Sequence, residues 1–177
     1  AVSATLAAPS YQARLTVQGY AGAELADFPV LVRLSPQMVG GFHYDTCKAD
    51  GSDVVFVDEN GEPLAYQLDT WNPSGESLFW VKLPQLAKGK SFFVQWGGGP
   101  VTSSNASGTW NANYAGVWHM GEADGVCSNS TRHGAAYDAT PKGETSESVR
   151  YNGSDAPVGG ARTTATNKMS YLSVPLQ

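Results

Sequence analysis

Three histidines, His43, His119 and His133, are the side chains of this sequence that titrate nearest neutral pH and so suit proton transfer or metal ligation. No pair of them has the short spacing by which one helix or strand holds a metal ion. His119 lies inside the apolar run Val117-Trp118-His119-Met120, where a hydrogen-bonded structural histidine accounts for it. His43 sits between Phe42 and Tyr44, and His133 in a polar stretch. The Gly-x-Ser-x-Gly turn of serine hydrolases is absent, and serines are too numerous for a triad drawn on paper to carry information. Glycoside hydrolysis needs two carboxyl groups facing each other. Glu122, Asp124 and Asp138 are the candidates, but nothing in their surroundings marks a buried pair. The chain reads as non-enzymatic.

Cys47 and Cys127 lack Cys-x-x-Cys spacing, which leaves zinc and thioredoxin-like chemistry without support. A disulfide between them, closing a long loop, and two separate thiols are both compatible with the sequence. Aromatic rings offer the remaining binding chemistry, because a sugar face stacks on an exposed Trp or Tyr at small entropic cost. Trp80 and Trp118 lie in apolar runs and are expected in the core. Trp71, beside Asn72-Pro73, and Trp110, in a polar stretch, are expected to be exposed and are the candidate ligand-binding residues.

Composition narrows the partners. The 11 basic residues are scattered singly and the net charge is −5, so no patch could neutralise a run of phosphates, and nucleic acid is excluded. No apolar run approaches the roughly 20 residues that span a bilayer. Charged residues make up only 15% of the 177, below the ~25% of an ordinary soluble domain, with Ser, Thr, Asn and Gly in their place. That balance suits short strands and turns in an extracytoplasmic protein. Ala1-Val2-Ser3-Ala4 fits the mature end left by a signal peptide, and equally an arbitrary boundary.

The elements that must position these residues are strands. Residues 11–18 alternate, with Tyr11, Ala13, Leu15 and Val17 on one face. Phe28 to Leu34, Asp53 to Asp58, Leu64 to Leu68, Leu78 to Leu83 and Ser91 to Trp96 continue the pattern. Asn60-Gly61 marks a hairpin whose two central residues should both take positive φ, and Asn72-Pro73-Ser74-Gly75 marks a second turn. Such closely spaced strands without an amphipathic helix predict an antiparallel β-sandwich over residues 10–98. Gly97-Gly98-Gly99-Pro100 and the Ser/Asn-rich residues after it read as a linker over 99–113. No Gly-Lys-Ser/Thr follows the glycines, so they do not form a phosphate loop. Ala115 to Glu122, Val149 to Tyr151 and Tyr171 to Pro175 are the strand candidates of a second segment, 114–177. Three short strands do not make a stable sandwich alone, so further strands are expected from elsewhere.

Asp27-Phe28-Pro29-Val30-Leu31-Val32-Arg33-Leu34, Gly51-Ser52-Asp53-Val54-Val55-Phe56, Leu64-Ala65-Tyr66 with Trp71-Asn72, and Phe79-Trp80-Val81-Lys82-Leu83-Pro84 occur in order. Together they resemble a bacterial domain family of unknown function over roughly residues 10–100. That family precedes laminin-G or concanavalin-like domains in secreted proteins and occurs in the extracytoplasmic part of MotA/TolQ/ExbB-type proteins. Its usual Tyr-Tyr-Gly-Asn-like ending is replaced here by Gln95-Trp96-Gly97-Gly98. Val117 to Glu122, Asp138-Ala139-Thr140-Pro141, Val158 to Arg162 and Tyr171 to Pro175 resemble the start of a concanavalin/laminin-G-like jelly roll. No cofactor is required; the resemblance is compatible with a calcium site, with Glu122, Asp124 and Asp138 as oxygen donors, but solvated loop acids are the simpler reading of all three. Asp58-Glu59-Asn60-Gly61 lacks the length and closing glutamate of an EF-hand, and a hairpin turn accounts for it. The expected function is an extracytoplasmic recognition or adhesion module for glycan or a surface protein. The alternatives are a structural subunit completed by another chain or a further part of the same protein, and an accessory periplasmic domain of a longer enzyme or ion-driven membrane complex.

Overall fold

Successive side chains of a strand point to opposite faces, so apolar alternation sets which face is buried. The computed structural model describes residues 8–98, 104–122, 125–143, 149–151, 162–164 and 170–174. Six strands realise the alternation: β1 (Tyr11–Thr16), β2 (Leu25–Leu34), β3 (Val55–Val57), β4 (Tyr66–Thr70), β5 (Ser77–Leu86) and β6 (Ser91–Trp96). They form two antiparallel sheets, ordered β1-β6-β3 and β2-β5-β4. Val32 and Leu34 of β2, Tyr66 of β4 and Phe79, Val81 and Leu83 of β5 meet Phe56, Phe92, Val94 and Trp96 of the other sheet in one buried cluster. Phe56 sits at its centre, with ring centroids 5.3 Å from Phe79 and 5.4 Å from Tyr66. The expected all-β class with antiparallel sheets is what the chain adopts.

Two prolines fit the ladder for physical reasons. Pro29 lies on β2, an edge strand, where a missing N–H costs no pairing. Pro84 is inside central β5, and the β2–β5 register skips the pair it would form with Asp27, which takes φ +50. The Asn60-Gly61 hairpin forms, but only Gly61 has positive φ, at +84. Gly61 N–H donates to Asp58 O (3.1 Å) and Asp58 N–H to Glu62 O (2.9 Å), so a wider turn closed by a left-handed glycine replaces the two-residue one.

Trp80 does not join the core as expected. Phe79 and Val81 take the inward face of β5, and Trp80 is half-buried on the other. A bulge between Leu68 and Thr70 leaves Asp69 outside the register, and its carboxylate accepts the Trp80 indole N–H at 2.9 Å.

The chain divides into two compact units, Ala1–Thr109 and Trp110–Gln177. Part of the expected linker is therefore packed structure. Asn105 N–H donates to Tyr66 O (2.7 Å), and Leu68 N–H donates to the Ser104 hydroxyl (2.9 Å), covering the free edge of β4. The Asn105 side chain then accepts Gly108 N–H (2.9 Å), capping the single turn α1 (Ala106–Thr109).

In the second unit β7 (Thr140–Gly143) pairs with β10 (Ser170–Ser173), and β8 (Val149–Tyr151) with β9 (Arg162–Thr164), both antiparallel. The run Ala115 to Glu122 is not a strand. Met120 takes φ +58, which breaks the extended backbone, and Trp118 makes one isolated bridge to Asn129. Trp118 is half-buried and donates its indole N–H to Tyr137 O at 3.0 Å. Asn129 organises the loop: its side-chain oxygen accepts Val117 N–H (3.0 Å), and its amide donates to the Thr131 hydroxyl (2.9 Å).

Candidate functional site at the turn end of the first unit

The long segment between β2 and β3 must close one end of the sandwich, and it does so with a plug and a polar lock. Val39 and Phe42 enter the core, Phe42 with no exposed surface. Asp53 is 1% exposed. One of its carboxylate oxygens accepts Lys48 N–H at 2.8 Å, and the other accepts Gly97 and Gly98 N–H at 3.1 and 3.3 Å. Gly97 and Gly98 reach the carboxylate through φ of +80 and +96. The Gln-Trp-Gly-Gly ending thus closes the domain by binding a buried acid, with Trp96 1% exposed beside it.

Tyr44 ties the neighbouring loops. Its hydroxyl lies 2.8 Å from Leu34 O and 3.2 Å from Gly75 O, accepts Ser77 N–H at 3.1 Å, and sits 3.0 Å from the Ser77 hydroxyl. The Ser77 hydroxyl in turn accepts Asn72 N–H at 2.9 Å. The Asn72-Pro73-Ser74-Gly75 turn forms as expected, with Gly75 N–H on Asn72 O (3.0 Å) and Ser74 N–H on the Asn72 side chain (3.2 Å). Between the two loops lies a groove of about 360 Å³ lined by Ser35, Pro36, Gln37, Tyr44, Pro73, Ser74, Gly75 and Glu76. Its size falls at the lower end of small-ligand sites. At its rim Arg33 and Glu76 form an ion pair at 2.9 Å.

The expected site residues are distributed as follows. Trp71 is half-buried beside this groove, but it works as a support. Its N–H donates to Ala49 O (2.8 Å), its ring meets Tyr44 edge-on at 5.2 Å, and a Cβ on Gly51 would lie 2.5 Å from the indole. Backbone therefore covers one face of the ring. Trp110 is not exposed: it is 5% accessible and packs against Tyr114 and His119, with ring centroids 5.2 and 5.8 Å away.

Glu122 accepts Ser128 N–H and Asp138 accepts Asn129 N–H, each at 2.8 Å; Asp124 lies outside the described residues. Among the described residues no group of three or more His, Cys, Asp and Glu gathers as a metal set. Cys47 and Cys127 keep their thiols, with no disulfide among the described residues. Cys47 contacts His43 O at 3.7 Å, while Cys127 is fully buried in a bridge with Ala139. Burial first, and then the charges of Asp53 and Asp45, push the Cys47 thiol up to about 12. Backbone N–H groups, that of Glu62 foremost, hold the Asp58 carboxyl below its ordinary range, so the acidic hairpin is a self-capped turn.

The sequence reading missed Gln37, Tyr44, Asp53 and Glu76. The aromatic cluster Phe42-His43-Tyr44 was the one local hint. Residues 50–115, which run from the end of the segment before β3 through α1 and a few residues beyond, match the model of a family described as "Domain of unknown function (DUF2341)". That agrees with the domain-of-unknown-function resemblance read from the sequence. No curated protein and no solved structure matches the chain.

Proposed function

We propose that this chain is an extracytoplasmic recognition or adhesion module that binds glycan or protein and performs no chemistry on it. The observation that carries the reading is the groove between the Ser35–Gln37 and Pro73–Glu76 segments. Its two walls leave the paired ends of β2 and β5, where Leu34 faces Ser77, and the Tyr44 hydroxyl ties both, so the groove is formed before any ligand arrives and little ordering entropy is spent on binding. The low charge and the abundance of Ser, Thr, Asn and Gly support an extracytoplasmic setting. The resemblance of the second segment to laminin-G and concanavalin-like domains supports a carbohydrate or surface-protein ligand. Two-dimensional NMR of the labelled chain, titrated with cell-surface polysaccharide fragments and with peptide pools, tests it. Shifts concentrated at residues 35–44 and 72–77 are expected. Shifts confined to the second unit would remove the groove from the account.

A second reading, a structural unit completed by strands of another chain or of a further part of the same protein, draws on the β7–β10 and β8–β9 pairs. Two-stranded pairs are marginal by themselves. Native mass spectrometry reads it directly: a polypeptide that stays bound until denaturation supports completion, and a lone 18.7 kDa species opposes it.

A further inference from the structure

Charge and bonding state narrow what the groove can hold. Among the described residues the side chains of Gln37 and Ser74 make no hydrogen bond, and both residues are exposed. Glu76 gives one carboxylate oxygen to Arg33 at 2.9 Å and leaves the other without a protein donor among the described residues. The groove thus offers an amide, a hydroxyl and a carboxylate oxygen between two proline rings. Among the described residues no lysine or arginine lines it, and its one carboxylate is already paired, so an anionic ligand would find no unspent cation there. None of the eight lining residues is Leu, Ile, Val, Met or Phe, so a peptide would find no pocket for an apolar anchor.

Resting on the recognition reading above, we infer that the groove binds an uncharged pyranose. One hydroxyl of the sugar donates to the open Glu76 oxygen, another meets Gln37 or Ser74, and the sugar's C–H patch lies against Pro36 and Pro73. Tyr44 is a positioning residue, since its hydroxyl is spent on the two walls. Arg33 holds the Glu76 carboxylate in place through their ion pair.

The test is a printed array of neutral, uronate-bearing and sulfated oligosaccharides, probed with the intact chain and with Glu76→Gln and Gln37→Ala, alongside a displayed peptide library. The expected result is binding to neutral glycans, unchanged by salt and weakened about tenfold or more in both variants while their thermal midpoints hold. Binding confined to uronates or sulfates, or to peptides, overturns the inference and leaves the recognition reading standing. Neutral-glycan binding untouched by either variant overturns the groove as the site. Failure to bind any glycan or peptide sinks both. Gln37 is an exposed loop residue, so its truncation spares the core and keeps the test open should Glu76→Gln prove unstable.

Discussion

Two buried or half-buried polar groups in the closing segment set the chemistry at the residue scale. The Cys47 thiol, pushed up to about 12 from an ordinary 9.0, carries almost no thiolate at pH 8.5. Alkylation by iodoacetamide should therefore be at least roughly a hundredfold slower in the native chain than in urea, as peptide mapping would show. Equal rates would place the thiol in open solvent. The shift also links stability to pH. A group whose folded pKa is raised binds its proton more tightly when folded, so its contribution is complete below about pH 9 and falls as the pH rises toward 12. Urea melts at pH 8 and 10.5 should show a larger loss in the native sequence than in Cys47→Ser. Asp53 is the neighbour in both effects. Asn at this position can satisfy Lys48 or the glycine pair, but not both, because its NH₂ would face a donor. Asp53→Asn should cost about 2–3 kcal/mol in a urea melt. It should also speed Cys47 alkylation only in part, since burial outranks Asp53 as the cause of the shift.

What was legible in the sequence becomes clear at the scale of elements. The strands of the first unit were readable because side-chain direction alternates locally, and Phe79 and Val81 face inward whatever surrounds them. The bulge at Asp69 was not readable, since an extra residue in a ladder leaves no mark on the apolar pattern. Nor was the groove, because residues 35–37 and 73–76 meet only once β2 and β5 pair Leu34 with Ser77, a long-range register that leaves no local mark. The Ser/Asn-rich stretch before Trp110 shows the third kind of failure. Asn is enriched in linkers and in helix caps alike, and only the docking of Ser104 and Asn105 on β4 tells them apart. If that docking is structural, Asn105→Ala should lower stability by about 1 kcal/mol and speed hydrogen exchange at Leu68, whose N–H lies under Ser104. A true linker would tolerate the change without effect.

For the whole molecule, the two units differ in how their strands are supported. In the first, β5 and β6 are each flanked on both sides by other strands, and Phe56, Phe79 and Val94 bury them between two sheets. Opening β5 or β6 means exposing that cluster, which amounts to global unfolding. In the second, β8 pairs with β9 and β7 with β10, each a two-stranded sheet among the described residues. A pair of that size opens without disturbing a large core and draws little cooperativity from its neighbours. Native-state hydrogen exchange should therefore find the slowest amides at Val81 and Val94 and markedly faster exchange at Val149–Tyr151. Equal protection across both units would mean that the second is as firmly built as the first, and would remove the physical case for added strands. Slowing of the β8–β9 amides alone, when a second polypeptide is supplied, would identify that polypeptide as the missing support. The first unit should not respond, because β5 and β6 are already flanked on both sides and its two sheets bury a common core.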